Sequence, residues 1–186
     1  MKQRGFTITE IVIVLTVMGI LLILGAVNLS SSQASGRDAE RKIDIETLAI
    51  NLENYYTSGS SNTIDGATLG EYPPISITSS SSSMSQYLDS LDKNSIMAPG
   101  ITNPTDTFKA ATNNIQTTDG VRFGSDQQPT KDTYIYQPLT SNGLLCDSEA
   151  DMECRKYNLY YRLEVANITN ECPPPGFICK FTSKNQ

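Results

Sequence analysis

The chain has 186 residues, which is consistent with one domain of modest size together with an anchor. It carries 14 Lys and Arg against 20 Asp and Glu, and this acidic balance argues against general nucleic-acid binding through the bulk of the chain. Histidine is absent, so the commonest general base and the commonest zinc ligand are missing. Since no catalytic set of residues is visible either, an enzyme is the least favoured class.

Residues 1–5 are a short polar leader, and residues 6–29 are an apolar run in which Glu10 is the only ionisable side chain. A helix of about 20 apolar residues crosses the ~30 Å hydrocarbon core of a bilayer. It also satisfies its own backbone hydrogen bonds there. The sequence therefore predicts a transmembrane helix. Lys2 and Arg4 should hold its start in the cytoplasm, so that the remaining chain faces outward.

Glu10 is unusual because a carboxylate inside an apolar span is costly and normally has a partner or a function. One interpretation is that Glu10 lies in the first turn and favours the positive end of the helix. The other requires a cation within the apolar zone. Cleavage after Gly5 would supply one, because Phe6 would then carry a free α-ammonium group that Glu10 of a neighbouring copy can meet.

The run Arg4-Gly5-Phe6-Thr7, followed by Glu10 and an apolar helix, resembles the class III signal of type IV pilins and type II secretion pseudopilins. The resemblance extends over about residues 1–57. It implies cleavage between Gly5 and Phe6 by a prepilin peptidase and N-methylation of Phe6. It also implies storage in the cytoplasmic membrane, followed by helical polymerisation with a motor ATPase and a membrane platform protein.

One departure from the family concerns helix flexibility. Many members carry a proline late in the apolar helix, whereas this chain has none before Pro73. Gly19 and Gly25 are therefore the positions that we expect to permit a kink or local melting.

Residues 30–57 predict the amphipathic continuation of this helix. Apolar side chains recur at steps of three and four: Ile45, Leu48, Ala49, Leu52, Tyr55 and Tyr56. Asp38 can pair with Arg41 or Lys42 within the helix. With no proline in between, we predict one helix of about 50 residues, roughly 75 Å long.

Residues 58–132 are rich in Ser, Thr and Gly at their start and predict a loop region, which matches the αβ-loop of the family. Within it, Met84–Leu91 predicts a short helix, and residues 105–130 remain ambiguous. Residues 133–186 predict three antiparallel strands at 133–139, 157–165 and 177–182. The predicted fold is α+β: a long N-terminal helix packed on a small antiparallel sheet, as in the type IV pilin fold.

Cys146, Cys154, Cys172 and Cys179 lie in the last third of a chain that begins with an export signal, which predicts two disulfides. Sequential pairing, Cys146–Cys154 and Cys172–Cys179, is the simplest of three connectivities. Zinc is disfavoured because there is no CxxC motif, and we expect neither a metal site nor a cofactor. The acidic loop with Asp147, Glu149, Asp151 and Glu153 is better interpreted as solvated than as a calcium site. The paired tyrosines favour core packing over an exposed binding patch.

The resemblance implies the major structural subunit of a type IV pilus-like filament, extracellular after assembly on the bacterial surface. Such filaments serve motility, adhesion or DNA uptake, with a host-cell or DNA ligand. A pseudopilin of a type II secretion or competence system is the first alternative. The second is a conventionally secreted binding protein, cut near Ser32-Gln33-Ala34, against which Glu10 argues.

Overall fold

A computed structural model describes residues 5–59, 69–78, 84, 88, 91, 96–101, 107–112, 128–147, 153–174 and 176–184. Within these residues lie two helices and four strands: α1 Ile8–Ser58, α2 Ile75–Thr78, β1 Phe108–Ala110, β2 Tyr134–Thr140, β3 Cys154–Arg162 and β4 Ile178–Thr182. The long helix packs on a four-stranded, mostly antiparallel sheet. The predicted α+β, pilin-like fold is therefore confirmed.

Helix α1 has 51 residues and is about 77 Å long at 1.5 Å per residue. Thr7 caps its start, and the Gly59 amide, with φ 72°, donates to the Tyr55 carbonyl at its end. A positive φ suits glycine, which has no Cβ to collide with the backbone. The serine-rich segment at residues 30–36 does not interrupt the helix.

The two halves of α1 have different surroundings. The first half is exposed, with Ile8 84% and Leu22 74% accessible. The second half buries one stripe against the sheet, and Leu48 and Leu52 are fully inaccessible. A helix that is apolar on all sides needs lipid or other apolar helices around it, whereas a helix with one apolar stripe needs a domain on one side.

The strands follow one another in the order β1-β2-β3-β4, with β1 parallel to β2 and the other pairs antiparallel. The prediction of three strands missed β1, because its three residues are too few to show an alternating pattern. Strand β3 also begins at Cys154 and ends at Arg162, earlier at both ends than predicted. The Leu163 amide still donates to Phe177, but the amides of Glu164 and Val165 donate to Asp38 of α1 instead of to a neighbouring strand.

The core lies between α1 and the sheet. Tyrosines dominate it, and the packing role predicted for the paired tyrosines is confirmed by the burial of Tyr55, Tyr134, Tyr136, Tyr157 and Tyr161. Tyr72, from the region predicted to be a loop, is buried with them. The alternate side chains in the middle of β3 are also shielded from solvent. Tyr160 and Asn158 are buried there as well, and both donate to Oε1 of Gln137, over 3.1 and 3.0 Å.

Two disulfides join Cys146 to Cys154 and Cys172 to Cys179, which are the sequential pairs expected. The first also holds the loop region, because the amides of Tyr72 and Ile75 donate to the carbonyls of Cys154 and Cys146. That region, predicted to be a loop, contains the single-turn helix α2.

Some predictions fall partly outside the described residues. Of the predicted helix at 84–91, the structure describes Met84, Leu88 and Leu91, which are buried. Of the ambiguous stretch at 105–130, it omits residues 105–106 and 113–127. In the acidic loop, Glu149 and Asp151 are not described. The described parts of the chain contain no group of three or more His, Cys, Asp or Glu side chains that could hold a metal ion.

Candidate functional site

The start of α1 is closed by a reciprocal pair of hydrogen bonds between Thr7 and Glu10. The Thr7 amide donates to Oε2 of Glu10 over 2.8 Å, and the Glu10 amide donates to Oγ1 of Thr7 over 3.3 Å. The Thr7 hydroxyl also donates to the same Oε2 over 2.7 Å. This is a capping box, which satisfies backbone donors that a helix start leaves unpaired. In the single chain, Glu10 therefore acts at the helix end, as in the first of the two interpretations above.

The capping box uses only one of the two carboxylate oxygens of Glu10. Among the residues that the structure describes, no hydrogen bond reaches Oε1. An ionised carboxylate accepts several hydrogen bonds, so Oε1 can accept a donor from a second chain while the cap stays intact. The pairing of Glu10 with Phe6 of a neighbour involves a second copy and stays a prediction.

The predicted cleavage point lies immediately before α1. Gly5 and Phe6 are outside the helix, and the Phe6 side chain is 85% exposed. A Cβ placed on Gly5 would meet no atom within 4 Å. The Gly5–Phe6 peptide bond is therefore sterically open to an enzyme, although cleavage and methylation themselves stay predictions.

Polar and flexible positions within the apolar half of α1 do not disturb the helix. The Thr16 hydroxyl donates to the carbonyls of Val12 and Ile13 over 2.9 and 2.8 Å, so it is satisfied without water. Gly19 and Gly25 lie in unbroken helix, and an added Cβ at either would meet nothing within 4 Å. Their predicted role in flexibility stays a prediction.

A buried cation marks the point where α1 joins the sheet domain. Arg41 is 1% exposed. Its guanidinium donates to Oδ1 of Asp38 over 2.8 Å, to Oε1 of Glu164 over 2.7 Å and to the Lys131 carbonyl over 2.9 Å. The predicted pair of Asp38 with Arg41 is thereby confirmed, with Arg41 rather than Lys42 as the partner.

Arg37 and Asp38 complete this arrangement, which we call the junction network: Arg37, Asp38, Arg41 and Glu164. Arg37 donates to both carboxylate oxygens of Glu164. Asp38 accepts the backbone amides of Glu164 and Val165 over 2.9 and 2.8 Å. Buried charges are tolerated when their hydrogen-bonding capacity is filled in this way. Hydrogen bonds from Arg37, and then from Arg41, lower the pKa of Glu164 to about 2.

Sequence reasoning missed Glu164 because residues 157–165 were interpreted only as a strand, in which Glu164 lies between the apolar Leu163 and Val165. A signal was nevertheless present in the helix. Asp38 and Arg41 continue the core stripe of Ile45 and Leu48 at steps of three and four, so both charges face the sheet. Buried charges on that stripe require partners from the sheet domain.

Two further carboxylates bind α1 to the sheet domain. The Tyr134 hydroxyl donates to Oδ2 of Asp44 over 2.8 Å, and Asp44 is 8% exposed. Burial raises the pKa of Asp44 to about 6, although the hydrogen bond from Tyr134 acts in the opposite direction. Near the other end of the domain, Glu53 accepts the hydroxyls of Tyr72 and Tyr157, over 3.0 and 3.3 Å.

Residues 1–26 match the family described as the prokaryotic N-terminal methylation motif. No curated protein and no solved structure shows a significant match to the chain. The chain carries the class III signal of type IV pilins and pseudopilins, on a pilin-like fold. This motif implies processing by a prepilin peptidase and assembly into a pilus-like oligomer, and it indicates a structural protein rather than an enzyme. It also fits membrane insertion before assembly.

Proposed function

We propose that this chain is the major structural subunit of a type IV pilus-like helical filament. The observation that carries the proposal is the exposed apolar half of α1, which directly follows an open Gly5–Phe6 bond. Within the described residues, no part of the sheet domain covers this half. Its apolar surface is satisfied first by lipid and then, after assembly, by the same segment of other copies.

Glu10 sets the register of that assembly. Cleavage after Gly5 creates an α-ammonium group on Phe6, and Oε1 of Glu10 is the open acceptor for it on a neighbouring chain. In a bundle of low dielectric constant, an unpaired charge costs more than a paired one. Copies that are out of register would leave both charges unpaired, so the correct stagger is favoured.

The exposed side of the second half of α1 supports a bundle that continues beyond the apolar half. Ile43 and Ile50 are 62% and 60% exposed and lie seven residues apart, on one side of the helix. Glu40 and Thr47 are neighbours on that side, so the apolar stripe is narrow. A narrow stripe with this spacing packs against another helix rather than against lipid.

The subunit passes through a membrane stage and an assembly stage in this proposal. It first lies in the cytoplasmic membrane, where a prepilin peptidase cuts before Phe6 and the new amino group is methylated. A motor ATPase and a platform protein then support its polymerisation into an extracellular pilus. Motility, adhesion and DNA uptake are the functions that such a filament serves, through a host-cell or DNA ligand. A pseudopilin with a short filament in a secretion or competence system is the alternative that carries the same motif.

The test has two measurements on the native chain in its bacterial host. Mass spectrometry of sheared surface fibres should detect a mature subunit that begins with N-methylated Phe6. Electron microscopy should show long fibres that disappear when the chain is deleted. Mature Phe6 without long surface fibres would favour the pseudopilin, and a mature chain beginning at Ser35 would refute both.

A further inference from the structure

The loop after β3 forms an uncharged, exposed tip. We call Val165–Asn170 the tip loop; its six residues are all exposed and none carries a charge. Val165 and Ile168 are 40% and 67% exposed, so the tip loop presents two branched aliphatic side chains to solvent. The core around the sheet does not use them.

The tip loop lies at the end of the sheet that faces the apolar half of α1. Strand β3 runs antiparallel to α1, because the Tyr157 hydroxyl contacts the Ala49 carbonyl while the Val165 amide contacts Asp38. The chain after β3 and the chain before β4 stay paired for one further residue, because the Leu163 amide donates to the Phe177 carbonyl. The tip loop therefore begins at the level of Asp38, at the end of the sheet nearest the apolar half of α1.

Distances along α1 place this end close to a membrane. Leu29 ends the apolar run, and Asp38 follows nine residues later, about 13 Å further along the axis. Headgroups occupy roughly 5–8 Å on each side of the hydrocarbon core. Val165 lies at the level of Asp38, and the tip loop turns back beside it, because the Asn167 amide is bonded to Gly176. With α1 upright, the tip loop therefore lies about 5–8 Å from the headgroup layer. An ordinary helix tilt of about 20° brings it closer.

Hydrogen bonds and a disulfide hold the tip loop in one shape. The Asn167 amide donates to the Gly176 carbonyl over 2.9 Å, and the Cys172 amide donates to Thr169. The Cys172–Cys179 disulfide ties the residues that follow the tip loop to β4. Gly176, at φ 82°, approaches so closely that a Cβ there would lie 3.1 Å from the Ile168 amide nitrogen. A loop that is already ordered pays little additional entropy when it meets a surface.

Charges near the tip loop do not oppose contact with lipid. Glu164, which directly precedes it, is neutralised by Arg37 and Arg41. Glu171, which follows it, is exposed and can remain in water. The polar side chains of the tip loop, Asn167, Thr169 and Asn170, suit a headgroup layer. Val165 and Ile168 supply the apolar surface that favours contact with lipid.

We propose that the tip loop, through Val165 and Ile168, rests on the outer surface of the membrane in which the first half of α1 is stored. This inference rests on the membrane stage of the proposed function. The contact is apolar rather than electrostatic, so zwitterionic lipid is sufficient. It fixes the orientation of the sheet domain on the membrane before assembly, with the opposite end of α1 pointing away from the lipid.

The absence of tryptophan from the chain allows a direct test. The full-length Ile168→Trp variant is reconstituted at low density in phosphatidylcholine vesicles that carry bromine on the upper acyl carbons. Its matched control is Leu144→Trp, 49% exposed in the turn after β2, at the opposite end of the sheet. We expect blue-shifted emission and at least twofold quenching for Ile168→Trp, and neither effect for Leu144→Trp.

Flotation of the same vesicles distinguishes a failure of membrane storage from a failure of the tip-loop contact. Chains that do not float with the lipid would refute membrane storage and the tip-loop contact together. Chains that float with unquenched Ile168→Trp emission would refute the contact alone. A blue shift that grows with protein density but is insensitive to bromine would also overturn it, because the tip loop would then bind a second copy.

Discussion

Arg41 and Glu164 lie 123 residues apart in the sequence and form an ion pair of 2.7 Å where the exposed half of α1 meets the sheet domain. The pair belongs to the junction network, in which Arg41 is almost completely buried and each carboxylate has more than one donor. The junction network therefore marks the position on α1 at which contact with the sheet domain begins.

Replacing Arg41 should strongly destabilise the domain. Arg41→Met keeps much of the apolar stem but leaves Asp38 and Glu164 without their shared cation. We expect a loss of about 3–5 kcal/mol in the free energy of unfolding, the usual cost when one partner of a buried pair is removed. Urea unfolding in detergent measures it, with exposed Lys109→Met on β1 as the control. A loss equal to that of the control would show that the network contributes nothing to stability.

Asp44 should make the domain less stable at neutral pH than at mildly acidic pH. Its pKa is about 6 in the folded chain, against about 4 in an unfolded one. Between these values the folded state binds more protons, so the contribution of Asp44 to stability rises as the pH falls from about 7 to 4. Asp44→Asn keeps an acceptor for the Tyr134 hydroxyl and removes the charge. We expect it to stabilise the chain by about 1–3 kcal/mol at pH 7.5.

The measurement is urea unfolding at pH 4.5 and pH 7.5, with exposed Glu46→Gln as the control. The difference between the two pH values should shrink only in Asp44→Asn. Glu164 acts in a separate window, since its lowered pKa means that its stabilising charge is lost only as the pH falls below about 4.5 towards 2. A less stable Asp44→Asn at pH 7.5 would contradict the prediction.

The two disulfides should contribute similarly to the free energy of unfolding, but they should restrain different segments of the chain. Their loops have sequence separations of 8 and 7, and such short loops predict about 2.5 kcal/mol each. Replacing Cys146 and Cys154 by serine should also release the segment that contains Tyr72 and Ile75. Hydrogen exchange of those two amides should accelerate in this variant.

The matched control replaces Cys172 and Cys179 by serine. It should lose a similar amount of stability while the Tyr72 and Ile75 amides remain protected, because they bond to the other pair of cysteines. Equal acceleration of exchange in both variants would mean that global unfolding, and not the local bridge, controls these amides.

Two substitutions at Glu10 separate its two roles. Glu10→Ala removes both the cap and the charge, so we expect surface fibres to be lost while the membrane-inserted pool persists. Glu10→Gln keeps an oxygen that can accept the Thr7 amide but cannot neutralise an ammonium group. If the charge sets the register, Gln should fail like Ala. Fibre yield by shearing and immunoblotting measures this, with exposed Glu171→Gln, outside α1, as the control. Normal fibres from Glu10→Gln would reduce Glu10 to a capping residue.

The long helix was predictable because two periodic patterns meet without a proline between them. Strands β2, β3 and β4 were predictable from β-branched and aromatic residues, although their ends were not. Beyond the end of β3, Asp38 captures the backbone amides of Glu164 and Val165. No local pattern in residues 157–165 contains that information.

The partners in the junction network could not be predicted for the same reason. Asp38 and Arg41 are close in sequence, and a helix places them together. Glu164 joins them only after the sheet has folded onto α1, so no local pattern connects it to them. The disulfide pairs were easier, because each connects residues only a few positions apart.

The side-chain bonds from Asp38, Asp44 and Glu53 to the sheet domain have a mechanical consequence for a fibre built of such subunits. They make the helix from Arg37 onward and the sheet a single stiff unit. Pulling on the fibre would load the peptide backbone of the preceding helix. Stretch should therefore begin in the serine-rich residues 30–36, leaving the tyrosine core and both sulfur bridges unstrained.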